Sequence, residues 1–327
     1  MSARGDDHSV QIRVHPAPLR EMATEILRRT GLPEDDACLV AKCLTHVDLR
    51  GVFSHGTRQL QRYVHQYQEG ELNPRPEIRI LQETPVSALF SGEGGLGYLA
   101  ATRATEAAIR KANESGLATV ATRYNGHVGS MGIYARMALP HGLITIGFAG
   151  GSDWEAPGDP DATVWDAVKA PPMCFGIPTA GDPPFVFDFN VNMFTDRARL
   201  EQAAVEFTDP FLKSLGLKFV STILGGALAG TMPAGEREYP GANRGFLLIA
   251  LRPDLVGDAE GFRSEVTRII ASSRSLEPIP GKETAEVPGS LEWQRERDWS
   301  LDGIPLPEEN RHTLEKVASS LGVSVPW

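Results

Sequence analysis

The sequence predicts a mixed α/β fold whose two ends together make a helical part, flanking an α/β middle. Three observations predict it. Apolar residues keep helical spacing over residues 16–48 and again from 258 onward. Five short runs of strand-forming residues lie between 86 and 251, some separated by helical stretches. A helical start and a helical end around such a middle suggest that the termini pack together.

The first helix opens at Pro16-Ala17-Pro18, and Leu19, Met22, Ile26 and Leu27 keep its apolar face until Gly31. Leu32-Pro33-Glu34-Asp35-Asp36 starts the second, with proline in the first turn and acids at the positive end of the helix dipole. Ala37, Val40, Ala41 and Leu44 point inward. Strands are expected at Val86–Phe90, Leu117–Thr122, Leu143–Phe148, Phe185–Phe189 and Phe246–Leu251. Helices are expected at Leu96–Ala112, Ile133–Leu139 and Leu212–Leu228. Gly150–Pro172, rich in Gly, Pro, Asp and Trp and without a period, reads as a long loop. Asp258–Ser273 returns to helix, Pro278–Gly289 is a Pro- and Gly-rich crossing, and two short helical patterns end at Val323.

Composition narrows the function. The chain of 327 residues carries a formal charge of −10, and its longest basic cluster is Arg28-Arg29, which argues against nucleic acid as a partner. The N-terminal MSARGDDHSVQIRV lacks the apolar core of a signal peptide. Apolar stretches such as Phe246–Leu251 are far too short to span a bilayer, so no membrane partner is expected. Cys38, Cys43 and Cys174 form no even framework, and Cys38 and Cys43 lie off zinc-ligand spacings, so buried thiols and no metal are expected. A cytoplasmic protein follows.

Gly92-Glu93-Gly94-Gly95-Leu96-Gly97 matches G-x-G-x-x-G between an expected strand and an expected helix. One reading is the phosphate turn of a Rossmann domain, with Arg123 after the second strand as a 2′-phosphate ligand. Against it, Glu93 puts a negative charge inside the turn, and no regular series of crossover helices follows. The other reading is a tight entry into a helix that must pack closely.

Three clusters carry candidate chemistry. In the stretch Asp48–Tyr63, Ser54 and His55 are adjacent and followed by Gly56; a histidine beside a hydroxyl serves as acid or base when a carboxylate orients it. In Asn125–Gly132, glycines flank His127 before a helix and leave backbone N–H groups for phosphate. Asp188 ends an apolar run and must be paired there, either to orient a histidine or to cap a turn.

The strings DLRGVFSHGTRQLQRY, GHVGSMGIYARMA, FGIPTAGDPPFVFDF, ANRGFLLIALRPDLVG and AEVPGSLEWQRERDWSLDGIPL, in this order, resemble the malate/L-lactate dehydrogenase family, from about residue 10 to residue 323. The resemblance implies a non-Rossmann fold: a helical domain over 1–75 and 255–327, and an α/β cofactor-binding domain over 76–254. It implies a homodimer that uses NAD or NADP on a small 2-oxo or 2-hydroxy acid. In that frame the Gly92–Gly97 stretch leads into a packing helix. His55 is then the acid, with Ser54 and Asp188 as relay partners; His127 is a second candidate for the acid/base. Cofactor contacts fall on His127, Val128, Gly129, Ser130 and Met131, on Lys213, and on Pro288 and Gly289.

The sequence departs from the family pattern at several of these places. The substrate-carboxylate arginine five residues after the serine is Gln59, with Arg58 and Arg62 as possible substitutes. The family's Ser-Asn-His is Asn125-Gly126-His127, its Thr-Asn-Pro is Ala170-Pro171-Pro172, and the glutamate of its Pro-Gly-Glu is Ser290. Two alternatives therefore stand beside the dehydrogenase: a catalytically impaired dimeric scaffold that binds a ligand, and a cyclic-imine carboxylate reductase.

Overall fold

The computed structural model describes residues 12–151, 158–169, 171–194, 199–230 and 234–327. The chain divides into two compact units, Met1–His65 with Glu292–Trp327, and Gln66–Leu291. The sequence places these boundaries near 75 and 255; the contacts place them at 65/66 and 291/292.

In the first unit, β1 (Arg13–Val14) leads into α1 (Pro16–Arg29), which buries Leu19, Met22, Ile26 and Leu27 as the spacing requires. Next comes α2 (Glu34–Leu49), with Glu34, Asp35 and Asp36 in its first turn and Ala37, Val40, Ala41 and Leu44 buried. A 3₁₀ turn at Phe53–His55 and another at Thr57–Gln59 then lead into α3 (Leu60–Gln68).

The second unit is built on one seven-stranded sheet. Its elements in chain order are β2 (Arg79–Thr84), β3 (Ser87–Ser91), α4 (Gly97–Ser115), β4 (Leu117–Asn125), α5 (Gly132–Ala138) and β5 (Ile144–Gly151). These are followed by α6 (Val164–Ala167), β6 (Pro172–Ile177), β7 (Phe185–Asn190), α7 (Leu200–Glu206), α8 (Thr208–Gly225), β8 (Arg244–Leu251) and α9 (Ala259–Arg274). The chain then closes with α10 (Ser290–Asp302), β9 (Ile304–Pro305) and α11 (Glu308–Ser320); β9 pairs antiparallel with β1, joining the two ends of the first unit.

The sheet order is β2-β3-β4-β8-β5-β6-β7. Among the described residues only β3 and β4 run parallel, and every other neighbouring pair is antiparallel. One β3-α4-β4 unit is therefore present, but no doubly wound sheet, which removes the Rossmann reading. The glycine turn before α4 has another purpose. The N–H groups of Gly92, Gly94, Gly95 and Gly97 bond to the carbonyls of Arg123, Tyr124, Gly92 and His127, so they are not free to cradle a pyrophosphate. A Cβ at Gly92 would meet Asn125, and one at Gly97 would lie 2.5 Å from the Gly126 carbonyl. Glycine is needed because the turn lies directly on the end of β4. Glu93 ion-pairs with Arg79.

The five expected strands are present. Two more strands of the seven-stranded sheet were illegible. Both faces of β2 are largely exposed, so Arg79–Thr84 shows no alternation. Pro172 opens β6 and Gly176 sits within it, a composition that reads as loop. The expected loop Gly150–Pro172 is corrected accordingly: Gly150 and Gly151 end β5, α6 lies inside it, and Pro172 begins β6. The signal for α6 was a capping box between Thr163 and Asp166.

A further correction concerns α8. Thr208–Ala229 is long and apolar enough, by length and composition, to cross a bilayer, against the expectation that every apolar stretch was too short. Its buried residues are instead Ser214, Lys218, Ser221 and Gly225, and the first three bond to other parts of the second unit. Ser214 Oγ donates to Val191 O at 2.6 Å, Ser221 Oγ to Pro172 O at 2.7 Å, and Lys218 Nζ to Trp165 O while lying 4.0 Å from the Trp165 ring centroid.

Candidate active site

The candidate residues fall into two groups, one in each unit. In the first unit the end of α2 fixes a turn. Val52 N bonds back to Val47 O at 3.2 Å, and His55 N to Val52 O at 2.9 Å, which sets Phe53-Ser54-His55 on a single 3₁₀ turn. Ser54 Oγ lies 3.0 Å from His55 Nδ1. The pair serves both ring states: with Ser54 donating, Nδ1 of the neutral ring accepts and Nε2 carries its proton, while in the imidazolium, the form that can protonate an alkoxide, Nδ1–H donates to Ser54 Oγ. Ser54 is exposed and His55 half-buried.

Gln59 belongs to this turn structurally. Its Nε2 donates to Ser54 O at 2.6 Å. Arg58 is ion-paired with Glu309 on α11 at 2.5 Å, and Arg62 is exposed on α3. The amide at position 59 thus closes the turn on which His55 sits.

Sequence reasoning passed over Asp48. It is 0% exposed, at the end of α2, and its Oδ2 accepts from Thr57 N at 2.9 Å and Thr57 Oγ1 at 2.6 Å. Burial pushes its carboxyl up to about 7, while the two Thr57 bonds pull the other way. The available signal was an acid on the buried face of an amphipathic helix, which must be satisfied by something close in space.

In the second unit β7 is the spine. Asp188, in its middle, accepts through Oδ2 from Ser130 Oγ at 2.6 Å and from Gly132 N at 2.7 Å. It therefore closes the N-terminus of α5 and holds the His127–Met131 turn against the strand. The turn is pinned at two further points: Gly97 N donates to His127 O, and Tyr134 OH donates to Val128 O at 2.6 Å. Gly129 has φ +76° and lies against Tyr98. Pro288 and Gly289 dock beside the same strand, with Val186 N donating to Pro288 O and no room for a side chain at Gly289 against the Val186 backbone. Past the end of β7, Ser214 ties α8 to Val191 and Met193. Lys213 is exposed next to it, with no ion pair or hydrogen bond among the described residues.

The structure thus gathers Val128, Gly129, Ser130, Met131, Asp188, Pro288 and Gly289 with His127 around β7 and α5, and Lys213 just past the strand. It gathers Ser54, His55, Arg58 and Gln59 on the turn after α2, with Arg62 following on α3. Of the departures from the family pattern, Ala170 lies outside the described residues.

Comparison with known proteins shows the family of the chain. Residues 14–206 and 192–315 match the family model described as malate/L-lactate dehydrogenase. The L-sulfolactate dehydrogenase of Methanocaldococcus jannaschii is 26% identical over 349 residues, covering 95% of this chain and 97% of that protein. The NAD(+) ureidoglycolate dehydrogenase of Escherichia coli is 24% identical over 330 residues, covering 91% and 93%. Among solved structures, the malate dehydrogenase of Pyrococcus horikoshii superposes with a TM-score of 0.83 at 27% identity, over 99% of this chain and 100% of that one.

Proposed function

We propose that this chain, which belongs to the malate/L-lactate dehydrogenase family, oxidises a small 2-hydroxy acid, or reduces the matching 2-oxo acid, with NAD or NADP, and that His55 is its proton donor and acceptor. The observation that carries this reading is the Ser54–His55 pair, 3.0 Å apart on a turn fixed from both sides, in a chain similar to such dehydrogenases over nearly its whole length. NAD is favoured by the ureidoglycolate dehydrogenase relative, whose name specifies it.

The residues present fit a dinucleotide. Lys213 is an exposed cation, unpaired among the described residues and suited to a phosphate. The His127–Met131 turn and Pro288–Gly289 offer backbone rather than bulk beside Asp188. When bound, the nicotinamide supplies the hydride chemistry. The chain's own residues do the rest: His55 holds the proton, Ser54 sets its tautomer, and Asp188 keeps the cofactor turn in shape through Ser130 and Gly132. Whether Asp188 also relays protons to a histidine, and whether His127 shares the acid role, belong to the same proposal.

Gln59 favours a substrate other than one whose carboxylate needs an arginine fork at that place, because an uncharged amide with one of its two N–H groups bonded to Ser54 O cannot form a charged bidentate pair. A cyclic imine carboxylate or a shifted 2-oxo acid remains in the same reaction class. The exposed apolar side chains of α8, Leu212, Val220 and Ile223, support a homodimer, which sedimentation of the purified chain reads directly. A cytoplasmic location is part of the proposal.

The test is a fluorescence titration with NADH and with NADPH, followed by turnover of L-malate, L-lactate and sulfolactate. His55→Ala is expected to lower turnover by roughly 10²–10⁴ with cofactor binding retained. Unchanged turnover removes His55 from the mechanism. Failure of the folded protein to bind either cofactor favours the ligand-binding scaffold.

A further inference from the structure

We propose that Asp48 is the positioning residue of the His55 turn, and that its carboxyl acts there as a neutral acid. The effect on turnover rests on the role given to His55 above; the lock itself stands on the geometry alone.

Three observations converge on it. Asp48 Oδ2 takes both donors of Thr57, the backbone N–H and the hydroxyl, so one carboxyl oxygen fixes the second residue after the turn. Asp48 Oδ1 is buried with no hydrogen-bond partner among the described residues. Gly56 lies directly against Oδ1, where any Cβ would overlap the carboxyl. The φ of Gly56 is −85°, which other residues adopt easily, so glycine is there for space and not for conformation. The turn bearing Ser54 and His55 is thus clamped between α2, through Val52 and Val47, and the Asp48–Thr57 bond.

The charged groups on the surrounding elements are committed elsewhere. Arg50, following Asp48 on the same helix end, pairs with Glu296 on α10 at 2.9 Å and donates to His46 O. Arg58 pairs with Glu309 on α11, and Arg295 lies over Trp299 and near Gly51. His55 is the titratable group on the turn itself. Asp48 also sits in the last turn of α2, where the helix dipole opposes a negative charge. With Oδ2 accepting twice and Oδ1 facing no donor, the proton of the neutral acid resides on Oδ1. A carboxylate there would leave one buried oxygen without a donor, and the tie to Thr57 would carry an unpaired charge.

The direct test is a ¹³C-carboxyl titration of the full chain labelled at the aspartate carboxyls, with Asp48→Asn identifying the Asp48 resonance. A midpoint near neutrality is expected, moving upward in Thr57→Val, which removes one donor and retains the other. A midpoint in the ordinary carboxylate range overturns the proposal. If Asp48→Asn does not fold, the upfield or downfield displacement of one aspartate resonance in Thr57→Val makes the same assignment. The kinetic test uses L-malate with NAD⁺. Because Asn mimics the neutral acid, the ratio of kcat/KM in Asp48→Asn to that in the parent should rise severalfold between about pH 6 and about pH 8, with the KM for NAD⁺ unchanged. A flat ratio overturns the link to His55. Absence of turnover in the parent counts against the dehydrogenase reading alone, since the ¹³C titration still decides the state of Asp48.

Discussion

Asp48 and Asp188 make nearly the same hydrogen bonds. Each accepts one hydroxyl and one backbone N–H on Oδ2, at 2.6 and 2.9 Å for Asp48 and at 2.6 and 2.7 Å for Asp188. Their surroundings differ. Asp48 is wholly buried at the C-terminal end of a sixteen-residue helix, and Asp188 is half-buried at the N-terminal end of a short one. A helix C-terminus repels a carboxylate and a helix N-terminus attracts it. Local bonding therefore does not decide what a carboxyl does; burial and the end of the helix it meets do. One aspartate holds a turn as an acid, and the other closes a helix and steadies the His127–Met131 turn.

The largest effect that would break this comparison is the pH dependence of stability. With the Asp48 carboxyl raised from the usual 3.8 to about 7, the folded chain keeps a proton that the unfolded chain loses. That contribution is fully present below about pH 4, is lost progressively as the pH rises to about 7, and is constant above. About three pH units correspond to roughly 4 kcal/mol. Asp48→Asn cannot lose a proton there, so its stability relative to the parent should rise across this window. Denaturation of both proteins at a series of pH values measures it, and parallel curves between pH 4 and 7 would show that burial of Asp48 costs its charge nothing.

Much of the architecture could be read from residues whose spacing reports their own burial. The inward faces of α1 and α2, and the strands at β3, β4, β5, β7 and β8, are of this kind. β2 was not legible because it is an exposed edge, and β6 because its proline and glycine imitate a loop. The site shows the same division. Ser54 and His55 are neighbours in sequence, so their contact needed no fold to be foreseen. The bond from Asp188 to Ser130 spans 58 residues and that from Asp48 to Thr57 spans nine, around a turn no periodicity announces. In the sequence Gly56 only follows the histidine; in the fold it makes room for a carboxyl eight residues earlier.

The finest discrimination between the two aspartates comes from removing one hydroxyl at each. Ser130→Ala takes a donor from Asp188 and leaves the Gly132 N–H, while Thr57→Val takes a donor from Asp48 and leaves the Thr57 N–H. At Asp188 water can reach the vacated lone pair, since the residue is only half-buried, and the loss should be about 1 kcal/mol. At Asp48 no water reaches the oxygen, and the loss should approach about 2–3 kcal/mol above neutral pH, where the carboxyl is ionised, and shrink below it. Urea unfolding of the two variants at about pH 5 and about pH 8 separates the cases. A cost at Thr57 that exceeds the cost at Ser130 and grows between the two pH values is what the difference in burial requires. Equal costs at both, at both pH values, would mean that the shared bonding pattern governs after all and that the helix ends and burial are incidental.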